Sequence, residues 1–259
     1  PVKEVIPQVM YIKNPWYGVV DYDVHYVLLQ EVIPDLEDSG DLSVCGLSEA
    51  DVADSENKVF CAGFNDGEST KQVSGSDGSY PFALANILYS EDNHISYEIV
   101  ANVTVSANDG NWRNIYHYGN NDGERAPAMW LFPNFGHSSH PNYWKIHFRL
   151  ATTRGTNDGV DFYIPEEMRT LGTEYQISVQ VDDSNGQGLV LKATVNGVTC
   201  VHYALTLSPV PSIKTISTRT FYIKNPWYSL KGYTVNSVLV RELPSIKLDM
   251  GVLPVPADC

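Results

Sequence analysis

Histidines and carboxylates are the side chains of this sequence that could carry out acid–base chemistry, and neither group is arranged for it. The histidines are spread through predicted strands and one loop, with no serine or cysteine motif beside them: His117, His137, His140, His147 and His202. The adjacent acids Glu166-Glu167 follow a proline in a turn, and Asp182-Asp183 lie at a hairpin. Because neither pair presents two carboxylates across a cleft, the chain is predicted not to be an enzyme.

Side chains that could bind carbohydrate or calcium occur in two places. Asn121 and Asp122 precede an Arg-x-Pro segment, and an aromatic loop contains Tyr143 and Trp144. Amide and carboxylate oxygens bind calcium, and aromatic rings stack on sugars. The competing interpretation is that Asn-Asp-Gly only closes a turn and that Trp130 and Trp144 lie in the core. The candidate carbohydrate residues are therefore Asn121, Asp122, Tyr143 and Trp144, calcium is the one cofactor considered, and no metal-ligand set is assigned.

A duplicated segment is the first of the elements that must position these residues. The heptapeptide Tyr-Ile-Lys-Asn-Pro-Trp-Tyr occurs at 11–17 and again at 222–228, and the similarity continues for about 25 residues. Each copy is predicted to form two strands joined by a Pro-Trp corner, because β-rich runs flank an Asn-Pro turn. The matched positions are Tyr11, Ile12, Pro15, Trp16, Tyr17, Tyr22, Val24, Val27 and Leu28 in the first copy, and Tyr222, Ile223, Pro226, Trp227, Tyr228, Tyr233, Val235, Val238 and Leu239 in the second.

Short strands separated by turns dominate the rest of the chain. Alternating apolar runs predict strands over 97–106, 115–118, 128–132, 144–151, 175–181 and 189–195. Asn-Asp-Gly tripeptides predict turns at 108–110, 121–123 and 157–159. Helical turns are expected only at 47–54 and 165–171. This pattern indicates an all-β sandwich or barrel.

Several motifs resemble one family of β-sandwiches. Asn114-Ile115, followed by Arg125-Ala126-Pro127-Ala128-Met129-Trp130, is similar to the N-I … R-x-P-A-x-W stretch of concanavalin A-like, laminin-G-like jelly rolls. Residues 191–197 resemble that family's L-Y-V-N-G hairpin, and 221–239 resemble its closing segment. The resemblance covers about 90–245 and implies an antiparallel jelly-roll β-sandwich. Some relatives hydrolyse glycans with a Glu-x-Asp-x-x-Glu strand, which this sequence lacks.

Four segments follow from these features. Residues 1–36 are the N-terminal strand pair, and 37–89 are an acidic connector rich in Gly, Ser and Asp. Residues 90–247 are the jelly-roll sandwich, closed by the second repeat copy, and 248–259 are a Pro-rich tail. The connector has few apolar residues, so it is expected to drape over a folded body or to bridge two bodies.

Cysteine usage and charge indicate the compartment and exclude some partners. Four cysteines without metal spacing favour disulfides in an oxidising compartment, and the predicted pairs are Cys45 with Cys61 and Cys200 with Cys259, among three pairings. Asn102 begins a glycosylation sequon, and its side chain is expected to be exposed. A net charge of −14 argues against nucleic acid and anionic membranes as partners. No apolar run is long enough to span a membrane. The disulfides and the sequon together predict a secreted protein.

The sequence leaves two functions open. In the first, the protein is a non-enzymatic structural subunit that assembles head to tail, its N-terminal copy adding strands to a neighbouring molecule. A strand pair is marginal in water without a sheet beneath it, and the corresponding place in its own chain is filled by the second copy. In the alternative, the protein is a lectin-like module that binds carbohydrate.

Overall fold

The described part of the chain is an antiparallel β-sandwich. The structure, a computed structural model, describes residues 45–46, 59–63, 71–74, 88, 96–108, 110–133, 144–152, 154–182, 189–205 and 220–243. The chain divides into two units, Pro1–Asp35 and Leu36–Cys259, and every described residue belongs to the second. The first repeat copy and its candidate residues therefore lie outside the described residues.

Twelve described strands form the sandwich. Their bounds are β1 Val59–Gly63, β2 Lys71–Ser74, β3 Ser96–Val105, β4 Arg113–Tyr118, β5 Ala128–Pro133, β6 Trp144–Thr152, β7 Gly155–Tyr163, β8 Glu174–Asp182, β9 Leu189–Val195, β10 Val198–Leu205, β11 Thr220–Ile223 and β12 Tyr233–Glu242. Sheet A has the order β1-β12-β3-β8-β9-β10, and sheet B has the order β2-β11-β4-β5-β6-β7. Two antiparallel sheets of this kind confirm the predicted jelly-roll sandwich.

Apolar side chains from both sheets fill the space between them. In β3, Ile99, Ala101 and Val103 are buried and alternate with the partly exposed Val100 and Asn102. Successive strand residues point to opposite faces, so this alternation places one face of each strand in the core. All six strands predicted in the body are present, with ends within two residues of the predicted ones.

The second repeat copy is the corner at which the chain crosses between sheets. Strand β11 lies in sheet B and β12 lies in sheet A, so the two strands do not pair with each other. Lys224, at φ 55°, begins the turn between them. Ile223, Tyr233, Val235 and Val238 are buried in the core, whereas Tyr222 and Leu239 are partly exposed on the outer faces and Pro226, Trp227 and Tyr228 form the corner.

Hydrogen bonds from buried polar groups fix this corner. The Asn114 side-chain oxygen accepts from the Asn225 backbone N–H at 3.0 Å, and the Tyr233 hydroxyl donates to the Asn114 carbonyl at 2.6 Å. Lys224 is fully buried, donates from Nζ to the Tyr233 carbonyl at 3.1 Å, and lies 4.5 Å from the Tyr233 ring centroid. A buried cation is costly unless it is paired in this way, so these residues tolerate little variation.

The connector contributes strands to both sheets. Strand β1 pairs with β12, and β2 pairs with β11, so two short pieces of the acidic segment extend the sandwich. The predicted disulfide between Cys45 and Cys61 is confirmed. Cys200 is also disulfide-bonded, but the predicted partner, Cys259, lies outside the described residues.

Two turn predictions have different outcomes. Glu166–Met168 form a short 3-10 turn inside the predicted segment 165–171. The turn predicted at 157–159 is wrong, because these residues lie inside β7, where Asp158 and Gly159 pair with β6. Gly159 has φ 148°, and a Cβ at this position would stand 2.1 Å from the Phe148 carbonyl oxygen. Here glycine permits close approach of two strands rather than a turn.

The sequon asparagine is less exposed than its motif suggested. Asn102 lies on the outer face of sheet A but is half-buried, and its side-chain nitrogen donates to the Ser237 hydroxyl at 2.9 Å. Its glycosylation stays a prediction. Within the described ranges, no helix is long and apolar enough to cross a membrane.

Replacing Asn114 with alanine is expected to lower the free energy of unfolding by about 3 kcal/mol or more, since buried groups left without partners cost ~1–3 kcal/mol each. The lost partners are the Asn225 N–H and the carbonyls of Tyr116 and Met129, to which the Asn114 amide donates at 2.9 and 3.1 Å. Urea unfolding measures the change.

The matched control is Asn236→Ala, whose amide contacts the Thr104 hydroxyl and Glu174 on the outer face of sheet A. It is expected to cost less than about 1 kcal/mol, because its partners can turn to water. Equal, small losses for both variants would contradict the role given to Asn114.

Candidate functional site

The outer face of sheet B carries aromatic and charged side chains in place of the apolar ones on its inner face. In β5, Met129 and Leu131 point into the core, so Trp130 between them points outward. In β6, Ile146 and Phe148 point inward, and the side chains that alternate with them point outward: Lys145, His147 and Arg149. The pleat thus collects three basic residues and a tryptophan on one surface.

A cleft of about 220 Å³ opens on this face. It is lined by Trp112, Arg125, Trp130, His147 and Tyr228. These residues come from the approach to β4, the loop before β5, strands β5 and β6, and the corner. Five separate parts of the chain therefore meet at one site.

Asp161 of β7 organises the cationic side of this face. Its carboxylate accepts from Lys145 Nζ at 2.6 Å, His147 Nδ1 at 2.7 Å and Arg149 Nη2 at 2.7 Å. Partial burial alone would raise the pKa of Asp161, but the hydrogen bonds from His147 and Lys145 and the charge of Arg149 hold that pKa well below its usual range. Asp161 is therefore ionised and fixes the orientation of all three partners.

His147 is neutral near pH 7 and presents a defined tautomer. Burial lowers the pKa of His147, and the charges of Arg149 and Lys145 act in the same direction against the hydrogen bond to Asp161. An ionised carboxylate only accepts hydrogen bonds, so Nδ1 carries the proton that His147 donates to Asp161. Nε2 is then an acceptor, and it has no partner among the described residues.

Arg125 is stacked on the floor of the cleft. Its guanidinium lies 4.8 Å from the Trp130 ring centroid, its Nε donates to the Asp122 carbonyl at 3.3 Å, and its Nη1 donates to the Asn157 side chain. The Tyr228 hydroxyl beside it donates to the Asp122 carboxylate at 2.8 Å. Burial and this hydrogen bond to Asp122 raise the pKa of Tyr228 to about 12, so Tyr228 keeps its proton.

Aromatic packing holds the wall of the cleft. Trp112 packs on Phe132 with ring centroids 4.8 Å apart and meets the His147 ring edge-on at 5.3 Å. Lys145 lies 5.8 Å from the Trp112 ring centroid. Trp112 is only half-buried, so part of its ring remains available to a ligand.

Some buried polar atoms on this face lack a partner among the residues that the structure describes. They are Trp130 Nε1, Arg149 Nε and His117 Nδ1. Trp130 is 1% exposed and lines the cleft. Buried polar atoms are nearly always paired in folded proteins, so these atoms can form hydrogen bonds with a ligand or with water.

The loop between β4 and β5 is built over His117. The Nε2–H of this buried histidine donates to the Asn121 carbonyl at 3.1 Å, while the Asn121 side chain accepts from the Gly123 N–H at 3.0 Å. A Cβ on Gly119 would stand 2.1 Å from the Glu124 carbonyl oxygen and 2.8 Å from His117 Nε2. Only glycine lets the loop pass so close to the ring.

The structure separates the four candidate carbohydrate residues. Asn121 is an exposed turn residue, and Asp122 reaches the cleft only through Tyr228 and Arg125. Trp144 is 2% exposed and packs in the core against Tyr175 with ring centroids 5.7 Å apart, so its ring cannot stack on a sugar. Tyr143 lies outside the described residues. Within the described ranges, no group of three or more His, Cys, Asp or Glu side chains could hold a metal ion.

The sequence interpretation missed Trp112, Arg125, Asp161 and His147 as site residues. His147 was interpreted as an ordinary core or surface histidine. The missing signal was the alternation in β6, where the basic residues at 145, 147 and 149 share a face opposite three apolar ones. The solvent-facing side of a half-buried strand usually carries mixed polar residues. Three basic residues on one side of β6 therefore indicated a functional surface.

Several solved structures are similar to this chain at low identity. They include peanut lectin, at 13% identity with 76% of this chain and 94% of that chain covered and a TM-score of 0.38. An alginate lyase from Alteromonas sp. 272 matches at 16% identity over 57% of this chain and 69% of that chain, with a TM-score of 0.31. An agglutinin from chicken liver, CG-16, matches at 7% identity over 66% and 99%, with a TM-score of 0.32. No protein-family model and no curated protein matches the sequence.

Acid is expected to destabilise the protein through His117. Burial lowers the pKa of His117 to about 4, compared with 6.5 in a model peptide. Because the unfolded chain binds the proton more readily, the stability is fully present above pH 6.5 and is lost as pH falls toward 4. About 2 kcal/mol should be lost between pH 7.5 and pH 5, since one pKa unit is worth about 1.4 kcal/mol.

Two measurements check this pH dependence. NMR titration should show His117 neutral down to about pH 5, well below the ordinary histidine range. Urea unfolding of His117→Asn should show a smaller fall in stability between pH 7.5 and pH 5 than the parent chain does. A His117 that titrates near 6.5 would contradict the expectation.

Proposed function

We propose that the protein binds carbohydrate, without chemical turnover, in the cleft on the outer face of sheet B. The observation that carries this proposal is the meeting of half-buried rings and unpaired polar groups at one place. Trp112 and Tyr228 supply aromatic surface, and His147 Nε2 supplies an acceptor beside them. Sugars have apolar C–H faces and polar edges, so they suit a site with both kinds of group.

The size of the cleft agrees with a single sugar unit. Its volume of about 220 Å³ is below the ~300–1,000 Å³ of sites for drug-sized ligands. A longer saccharide would therefore place one unit in the cleft and extend over the neighbouring face. Trp227, which is 40% exposed and meets the Tyr222 ring at 5.2 Å, lies on that face outside the cleft.

Binding without catalysis fits the carboxylates nearest to the cleft. Asp161 has a lowered pKa and three donors, and the Asp122 carboxylate accepts from Tyr228. Glycoside hydrolysis commonly needs one carboxyl with a raised pKa facing a second across the bond. Neither of these two groups is suited to act as that acid, which supports a binding protein.

Trp112→Ala is expected to weaken saccharide binding about fivefold, because stacking on an aromatic ring is typically worth ~1 kcal/mol. A glycan array identifies the bound saccharide, and isothermal titration calorimetry measures the change. Trp227→Ala is the matched control for a monosaccharide ligand, since it removes an exposed tryptophan outside the cleft and should change monosaccharide binding less than twofold. A parent chain that binds nothing on the array, or equal losses in both variants, would refute the proposal.

We propose as a second function that the N-terminal repeat copy docks on a sandwich of the same kind in a neighbouring, secreted molecule. The supporting observation is which residues the two copies share. Lys224, Asn225 and Tyr233 make the buried contacts of the corner, and the sequence has Lys13, Asn14 and Tyr22 at the matching positions. Residues with no docking role would not need to be the same.

The second copy crosses from sheet B to sheet A, and this constrains how the first copy would dock. The second copy contributes one strand to each sheet, so a copy with the same contacts would have to reach both sheets of its acceptor. Strands β1 and β2, which lie outside β12 and β11 in the two strand orders, provide a matching pair of edges. One donor per acceptor is a heterologous contact, which extends into rings or filaments.

Deleting residues 1–35 is expected to abolish self-association and to leave the thermal unfolding of the sandwich unchanged. Light scattering in native buffer should show particles well above 28.8 kDa for the full chain and a monomer for the deletion. Tyr22→Ala in the full chain is the finer test, because it removes only the residue that matches the buried Tyr233. A full chain that is already monomeric would refute the second function.

A further inference from the structure

We infer that the saccharide taken by the cleft is acidic and that Arg125 recognises its carboxylate or sulfate group. This inference rests on the proposed carbohydrate binding and adds the chemical class of the ligand. It depends on how Arg125 is held, on the charges around Asp161, and on the donors that lack acceptors.

Neutral groups alone hold Arg125 in place. Its contacts are the Asp122 carbonyl, the Asn157 side-chain oxygen and the face of Trp130. No carboxylate in the described part of the chain lies within ion-pair distance of Arg125. The Asp122 carboxylate is hydrogen-bonded to the Tyr228 hydroxyl instead. The guanidinium is thus positioned by neutral groups, and no carboxylate among the described residues forms an ion pair with it.

Basic groups outnumber the carboxylate on the other side of the cleft. Lys145 and Arg149 share the single carboxylate of Asp161, which leaves one positive charge in excess. The whole chain has a net charge of −14, so a local excess of positive charge is not a general property of this surface. Lys145 and Arg149 lie beside the cleft, which Arg125 lines, and an excess of one sign of charge near a cleft attracts ligands of the opposite sign.

The hydrogen-bond donors that lack acceptors also favour an acidic ligand. Trp130 Nε1 and Arg149 Nε are buried donors without acceptors in the described structure. A carboxylate or sulfate has several acceptor oxygens and no donor, so it can satisfy such groups without leaving a hydrogen unpaired. Arginine is well suited to this task, because its planar fork can bind two oxygens of one group.

The test compares three hexasaccharides by isothermal titration calorimetry: galacturonic acid oligomer, its carboxyl-reduced neutral counterpart, and a sulfated heparin fragment. The parent chain is expected to bind at least one acidic probe ten or more times more tightly than the neutral one. Arg125→Gln should lower the affinity for that acidic probe about tenfold and should lower the affinity for the neutral probe by a clearly smaller factor. Raising the salt concentration should weaken only acidic binding, because surface charges are screened.

Arg154→Gln is the matched control. Arg154 is exposed, pairs with Asp158 at 3.5 Å, and does not line the cleft. It should leave all three affinities unchanged, whereas an equal loss in both variants would show a nonspecific effect of charge and overturn the inference. Preference for the galacturonate identifies carboxylate as the recognised group, whereas preference for the heparin fragment, which carries both groups, shows that sulfate adds to recognition.

The outcomes separate this inference from the proposed function. Equal affinity for neutral and acidic probes, with binding still lost in Trp112→Ala, would overturn the acidic class and keep carbohydrate binding. Absence of binding to these three probes and to every sugar on the array would overturn both.

Discussion

The hydrogen bonds of the Asn114 side chain are the interaction on which the rest of the structure depends. This buried amide joins β4 to the carbonyl of Met129 in β5 and to the backbone of Asn225 in the corner. Asn114 also pairs with Trp130 across the two strands. Trp112 precedes it by two residues, and Tyr228 follows the corner that it anchors. One side chain thus sets the relative positions of the floor and two walls of the cleft.

The two faces of sheet B need different kinds of side chain, and the alternation of side chains along each strand supplies both. Inward residues must be apolar to fill the space between the sheets, whereas outward residues carry charge that must remain partly hydrated. Asp161 allows three basic groups to lie close together, since its charge offsets part of their mutual repulsion. The same carboxylate fixes the proton on His147 Nδ1. Asp161 therefore sets both the charge balance and the hydrogen-bonding pattern of this face.

The corner gives the internal repeat a physical meaning. A segment that crosses from one sheet to the other needs a tight turn, a buried partner for each free polar group, and apolar residues for both strands. Lys224, Asn225 and Tyr233 meet the polar part of this requirement. The first repeat copy has the same three residue types, which indicates that it fits the same kind of surface. An ordinary hairpin would need none of them.

Local pattern determined most of the fold, because alternation with period two and turn residues act over a few positions. It placed the body strands and the Cys45–Cys61 disulfide, but it took Asn157-Asp158-Gly159 for a turn. Only the partner strand β6 shows that Gly159 is there for close approach. The cleft could not be predicted from the sequence, since Trp112 and Tyr228 are far apart along the chain. His147 can be recognised as a site residue only once Asp161 is seen beside it. Which outward side chains meet depends on strand order and on the corner, and those are decided by packing across the whole sandwich.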